Sequence, residues 1–427
     1  MIAFLLPVFV ILLLLGLPIY GSLAFSVVGA MGLSGSMDPT IVPMRMFSGM
    51  NNFSLMAIPF FILAAELMRV GGLSARLITL AQALIGWAPG GLASAAVLSC
   101  LFFGSISGSS PATVVAIGSI MFPALVEAGY SKRFAIGLLT TAGTLGPIVP
   151  PSIALIIYGS VTATSVGQLF AAGVLPALLL GGLLIIYCMI YAKREQYPSS
   201  PFPRFQDVFT ALKGAAWGLG LPVILLGGIY SGVFTATESA SVACVYGLFV
   251  GMVIYKQVTP KDLWKILENT GLTSGSLLLI TAGASAFSWL LTITGTPSAL
   301  AQSVLSLSDS SFAITALLNL IMLIAGFFLD SASAIIVLAP LMTPIASQVG
   351  VDPVHFGIIN LVNYSVGMIT PPVGLNLFVA VTISKMSLTD VFKGCIPFLL
   401  ILLIGLMIIT YVPSISLVLP NLLFDYS

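Results

Sequence analysis

Ten apolar stretches of roughly membrane-span length run through the chain, at residues 2–20, 22–36, 54–70, 134–158, 167–192, 214–232, 233–255, 270–294, 356–381 and 395–418. Inside hydrocarbon no water satisfies backbone N–H and C=O groups, so such stretches must close their hydrogen bonds internally as helices. The expected fold is an all-α polytopic membrane protein. Only 6% of the 427 residues are charged and 59% are hydrophobic, which excludes a soluble enzyme, since soluble domains carry about 25% charged residues. The 14 Lys+Arg against 13 Asp+Glu offer no basic field for nucleic acid. Cys100, Cys188, Cys244 and Cys395 lie far apart in apolar runs, and His355 is the single histidine; the four thiols read as buried small hydrophobes, with no zinc site. No Lys or Arg precedes the first apolar run, from Met1 to Tyr20, so that run is expected to be retained as a span rather than cleaved as a signal peptide.

Two further apolar regions, 91–126 and 312–348, are each interrupted midway by a polar cluster. Cations orient the spans, because short loops rich in Lys and Arg stay cytoplasmic. The clusters are Arg69/Arg76, Lys132/Arg133, Lys193/Arg194 with Arg204 and Lys213, Lys256/Lys261/Lys265, and Lys385/Lys393, whereas the loops near 160–166, 295–310 and 349–355 carry none. The alternation holds throughout if both interrupted regions enter and leave on the same face, as re-entrant hairpins. Arg45, in an amphipathic 40–53 stretch, is the exception and falls on the outer face.

An internal repeat organises the chain. An ungapped shift of 221 residues sets Pro123 on Pro344, Gly146 on Gly367, Pro150-Pro151 on Pro371-Pro372 and Pro176 on Pro397, in register from about 104 to 190. The loop before the proline-containing span holds Lys132 and Arg133 in the first copy and no cation in the second; after that span the bias reverses, with Lys385 and Lys393 in the second. The copies are therefore inverted. Residues 1–195 form the first repeat, with a hairpin at about 91–126 and a broken helix at about 134–158. Residues 196–213 form a cytoplasmic connector, and 214–427 the second repeat, with a hairpin at about 312–348 and a broken helix at about 356–381.

Each copy brings a hairpin tip and a proline-broken span together. The first tip reads GSISGSSPAT from Gly104 to Thr113, and the second GFFLDSAS from Gly326 to Ser333. Proline lacks the N–H that would bond the carbonyl four residues earlier, so Pro150 and Pro151 free the carbonyls of Gly146 and Pro147, and Pro371 and Pro372 those of Gly367 and Met368. Neutral oxygens surround both breaks: Ser105, Ser107, Thr144 and Ser152 in the first copy, Ser331, Ser365 and Thr370 in the second. Hard cations prefer such ligands, which points to sodium rather than a proton. Any one of these small residues also suits plain helix packing; the paired clusters are the more specific signal.

A half-helix that begins at a tip exposes N–H groups and the positive end of its dipole. A substrate carboxylate is expected there, near Ser109, Ser110 and Thr113 or near Ser331 and Ser333. Thr144, Asn363 and Tyr158 are candidate polar contacts. Of the three carboxylates at membrane depth, Asp330 at a tip is a candidate site residue, and Glu66 and Glu238 are expected to pair with neighbouring groups.

The motifs GSISGSSPAT, GTLGPIVPPS, GMITPPVGLN and GGIYSGVFTATESASVACVYG, in that family's order across essentially the whole chain, resemble the large membrane subunit of tripartite ATP-independent periplasmic (TRAP) transporters. That resemblance implies a bacterial inner-membrane, sodium-driven importer with elevator-type transport and scaffold domains. It also implies a small four-helix membrane subunit and a periplasmic substrate-binding protein that delivers an organic anion. Carried over residue by residue, the sodium sites fall at Ser105, Ser107, Gly146, Val149 and Pro151, and at Gly326, Gly367, Thr370 and Val373. At least two ions follow from the repeat, and no organic cofactor is implied. No buried Arg marks a dicarboxylate clamp, so the sequence favours a monocarboxylate sugar acid such as sialic acid over C4-dicarboxylates. A P-loop is missing, which argues against an ATP-driven pump, and an intramembrane serine hydrolase lacks a nearby imidazole. A passive channel fits an inverted pair of hairpins less well than alternating access does. A stand-alone sodium- or proton-coupled anion carrier of similar architecture remains the alternative.

Overall fold

The computed structural model describes residues 2–34, 38–197, 201–306, 308 and 310–424. Among them are twenty α-helices and no strand. The chain opens with α1 (Ile2–Leu14) and α2 (Ile19–Ser34), a packed pair turned at Gly16, where φ is +83°. Here the structure departs from the expected spans 2–20 and 22–36. The helices have 13 and 16 residues, about 20 and 24 Å at 1.5 Å per residue, less than the roughly 30 Å of hydrocarbon. The Gly16-Leu17-Pro18 turn ends the first helix early. The amphipathic stretch becomes α3 (Ile41–Met50), and its Arg45 guanidinium lies 5.1 Å from the ring centroid of Trp289, a cation–π contact that gives the misplaced cation a partner.

Then come α4 (Ala57–Val70) and α5 (Leu73–Ile85), an amphipathic helix the apolar runs did not announce. The first hairpin is α6 (Gly91–Ser107) with α7 (Ser110–Glu127), and the first broken helix is α8 (Lys132–Gly143) with α9 (Ile153–Thr162). The first half closes with α10 (Val166–Glu195). On the far side of the connector, α11 (Phe205–Tyr230) and α12 (Ala236–Phe249) lead into α13 (Pro260–Ile293), whose 34 residues make it the longest helix described. Its start is legible in retrospect: Thr259 and Asp262 form a capping box, with Pro260 at the first position. A short α14 (Thr296–Leu305) occupies part of the expected 295–310 loop.

The second hairpin, α15 (Ser311–Gly326) and α16 (Ser331–Gln348), and the second broken helix, α17 (Pro353–Gly367) and α18 (Leu375–Ser384), repeat the first set. They are followed by α19 (Leu388–Tyr411) and α20 (Ser414–Leu423). Both Pro-Pro bonds, Pro150-Pro151 and Pro371-Pro372, are cis. The copies interlock rather than stand side by side: α8 packs on α19, α9 on α16 and α18 on α7. Around this core α2, α3 and α4 pack against α13, and α5 against α11. Eight of the described helical segments are long and apolar enough to cross a bilayer.

A close helix crossing joins α8 to α19. A Cβ on Gly137 would collide with the Gly394 carbonyl, and one on Gly394 with the Arg133 carbonyl, the small-residue contact that lets membrane helices approach. Arg133 also bonds Asp390 across this seam at 2.5 Å. Gly394→Leu is expected to force the helices apart and cost about 1–3 kcal/mol, seen as a lower melting temperature in detergent; an unchanged melting temperature would contradict the crossing.

Candidate functional site

Each hairpin tip sits on the proline break of its own repeat through a glycine pair. A Cβ on Gly104 would lie 2.8 Å from Gly146 Cα, and one on Gly367 would lie 2.5 Å from Gly326 Cα. The equivalent contacts thus match Gly104 with Gly326, one residue off the ungapped shift of 221, which sets Gly104 on Ala325. The slip is absorbed at the tips, which differ in length: α6 ends three residues before α7, and α15 five before α16. Gly104 was not singled out in the sequence; its repeat mate Gly326 was the available signal.

In the first half, oxygens converge beside Gly146. A Cβ there would meet Thr113 Oγ1 at 2.6 Å and the Ser109 carbonyl at 2.8 Å. Ser107 Oγ and Thr113 Oγ1 are 3.0 Å apart, and Thr113 donates to the Ser109 carbonyl at 2.7 Å. The Pro151 carbonyl approaches Gly108 at the tip. Among the described residues no backbone N–H donates to the Gly146 or Pro147 carbonyl, in line with the proline reading. Ser105 instead donates to the Phe102 carbonyl at 2.7 Å, and Thr144 is buried and donates to the Thr141 carbonyl. Val149 is partly buried, its N–H bonded to the Leu145 carbonyl.

The second half corrects the proline reading. The Gly367 carbonyl accepts from Thr370 N–H at 2.9 Å and the Met368 carbonyl from Asn376 N–H at 3.1 Å, because the chain after the break folds back onto it. A carbonyl with one bond keeps a second lone pair. Gly374 N–H, next to the partly exposed Val373, ties the break to the Phe327 carbonyl of the tip. Thr370 Oγ1 donates to the Val366 carbonyl, and the Ser365 hydroxyl is buried without a hydrogen-bond partner. A buried hydroxyl without a hydrogen-bond partner at the break has a lone pair free to serve as a cation ligand.

The two tips share one cavity of about 320 Å³. Ser107, Ser109 and Ser110 line it from the first tip and Asp330 and Ser331 from the second, with Pro147 and Met368 from the breaks. Its outer walls are Glu66 and Arg69 on α4 and Thr273 and Leu277 on α13. Glu66 and Arg69 lie in the last turns of α4, whereas Thr273 and Leu277 lie near the middle of α13. A second, larger cavity of about 770 Å³ lies by the cation-free loops near 160–166 and 349–355, lined in part by Thr164, Ser165, Gln168, Ser288, Thr292 and Ser347.

The tips are not equivalent toward an anion. The Asp330 carboxylate caps its own helix, accepting from Ala332 N–H at 3.0 Å, from Ser333 N–H at 3.3 Å and from the Ser333 hydroxyl. The N–H groups of Ala332 and Ser333, at the start of the second tip's helix, are therefore already occupied. At the first tip Ser109 makes no side-chain cap and Pro111 stands in the first turn, leaving the start of α7 open. Ser110 is clasped there by Asn376 of α18 at 2.6 Å, a buried bond between the repeats. Ser331 donates to the Met368 sulfur at 3.4 Å.

Asn363 is outside this cavity: it donates to Asn319 Oδ1 at 2.6 Å, joining α17 to α15. Tyr158 is a packing residue, buried with its hydroxyl 2.9 Å from the Pro353 carbonyl. Glu238 caps α12 in a box with Thr235, and Glu66 pairs with Arg69 at 2.6 Å, as anticipated for both. Arg69 lines the cavity, but with 40% of its side chain exposed it is not the buried Arg whose lack was read from the sequence. Its cytoplasmic-end position masked it, and the i,i+3 spacing from Glu66 was the sequence signal.

Residues 6–415 match the model of the family described as tripartite ATP-independent periplasmic transporter, DctM component. The chain is 42% identical to the C4-dicarboxylate TRAP transporter large permease protein DctM of Pseudomonas aeruginosa, over 92% of this chain and 94% of that protein. It is 35% identical to the sialic acid TRAP transporter large permease protein SiaM of Vibrio cholerae, over 97% of each. Among solved structures, the YdaH transporter of Alcanivorax borkumensis shares the fold at a TM-score of 0.63 and 15% identity, over 88% of each chain.

The capping role of Asp330 has a stability signature. Asp330→Ala is expected to destabilise by about 0.5–2 kcal/mol, whereas Asp330→Asn, which still caps, is expected to lose only a fraction of that. Melting temperatures in detergent separate these, and a neutral Asp330→Ala would remove the cap.

Proposed function

This chain belongs to the DctM family, the large membrane component of tripartite ATP-independent periplasmic transporters, and from that premise we propose that it is the translocating subunit of a sodium-driven importer of a small organic anion. It is a multi-pass protein of the bacterial inner membrane and not an enzyme. The observation that carries the proposal is the single cavity shared by two inverted tips, each seated on a proline break rich in neutral oxygens.

Two sodium ions act as co-substrates, one per tip and break. In the first half the ligands are drawn from Ser107 and Thr113 with the carbonyls of Ser109, Gly146 and Pro151; in the second from Ser365 and Thr370 with the Gly367 carbonyl. Neutral hydroxyl and carbonyl oxygens suit such a cation. The Asp330 carboxylate is committed to the start of α16, where it accepts from three donors. Each ion fixes a tip against its break, and the core α6–α10 with α15–α20 then moves against α4 and α13, elevator fashion.

The substrate is best read as a C4-dicarboxylate. The relative named for C4-dicarboxylates is more similar than the one named for sialic acid, and a cation lines the cavity. At about 320 Å³ the space is at the small end for ligand sites, which run to about 1,000 Å³. A small four-helix membrane subunit and a periplasmic substrate-binding protein complete the transporter, the latter delivering its anion to the outer face where the second cavity opens.

Reconstitution in proteoliposomes tests the whole reading. Uptake of succinate under a sodium gradient is expected only with all three components, to stop without sodium and to survive a proton uncoupler; activity of this chain alone would favour a stand-alone carrier. Ser107→Ala and Thr370→Ala are each expected to raise the sodium concentration for half-maximal transport about tenfold, the scale of one lost contact to a charged group. Unchanged sodium dependence in both would relocate the ions.

A further inference from the structure

The wall of the shared cavity carries three charged side chains, Glu66, Arg69 and Asp330. Asp330 is committed to the start of α16, so its charge is compensated within its own helix. Arg69 is the one cation on the wall. It already holds a carboxylate: Nε is 3.1 Å from Glu66 Oε1 and Nη2 is 2.6 Å from Oε2. This two-pronged geometry is the one an incoming carboxylate also adopts on guanidinium. The pair sits on one turn of α4, with side-chain exposures of 40% for Arg69 and 22% for Glu66, and ion pairs exposed to this degree are weakly held.

Resting on the reading of this cavity as the anion site, we propose that Arg69 is a substrate-binding, specificity-determining residue and that Glu66 is its resident counter-ion, displaced by a substrate carboxylate. The ligand class is a short dianion. One carboxylate meets the uncapped start of α7 at Ser109 and Ser110, and the other replaces Glu66 on the guanidinium. No bond is made or broken in the exchange; Glu66 turns to water at the cavity mouth. A monocarboxylate of the same length gains only the α7 subsite, so selectivity for two acidic groups resides on α4, outside both hairpins.

Binding of succinate and of butyrate, which share four carbons and differ in one carboxylate, is measured in sodium on the purified chain together with its small membrane subunit. Arg69→Gln is expected to weaken succinate about tenfold or more and leave butyrate unchanged, with Arg69→Lys restoring part of the loss. Glu66→Gln, which removes the competitor, is expected to tighten succinate. Opposite effects of the two neutral variants are what a helix staple cannot produce. Equal weakening by both, or succinate binding by Arg69→Gln at the wild-type level, would overturn the proposal while leaving the transporter reading intact. If the wild-type protein distinguishes neither anion from buffer, the C4-dicarboxylate reading falls, and Arg69's role with it.

Discussion

A backbone that leaves the helical ladder inside a membrane must find new partners for its N–H and C=O groups, and the core of this protein is arranged around that requirement. Tips and breaks are the irregular segments, and each is placed against the other. Contact that close needs residues without side chains, which is why glycine stands at Gly104, Gly146, Gly326 and Gly367. Where the chain has its own donors it uses them, as at Gly374 and Asn376 of the second break. Carbonyls at the first break have no backbone donor among the described residues. The irregularity that frees these oxygens is thus the same irregularity that the packing must hold.

Inverted halves invite the assumption of equal roles, and the caps argue otherwise. An aspartate at the second tip supplies the negative charge that the start of α16 attracts, while a serine with no cap interaction leaves the start of α7 open. The difference is one residue type at one position, yet it decides which tip is capped by its own side chain. The breaks differ too: the Gly367 and Met368 carbonyls accept backbone N–H groups, and the Gly146 and Pro147 carbonyls have no such donor among the described residues.

Much of this architecture is legible from side-chain type alone. Apolar run length, loop cations and the paired prolines lead to two hairpins and two broken helices, since each of these signals is a local response to lipid. What escaped has a common cause. The amphipathic α5 hides its apolar face behind Arg76 in a linear reading, and the early end of α1 depends on a Gly-Leu-Pro turn within an otherwise apolar run. Asn363 and Tyr158 are polar groups at membrane depth, but they face other helices rather than the cavity. The i,i+3 spacing encodes the Glu66–Arg69 pair but not its place on the cavity wall, and Asn376 owes its position to tertiary packing.

The buried amide–hydroxyl bond between Asn376 and Ser110 has a mechanical meaning. It rivets the opening turn of α7 to the segment just past the Pro371-Pro372 bend, across the pseudo-twofold relation of the molecule. Sealed from water, such a fastening is dear to undo. Separating the two halves at this point would leave a buried amide and a buried hydroxyl without each other.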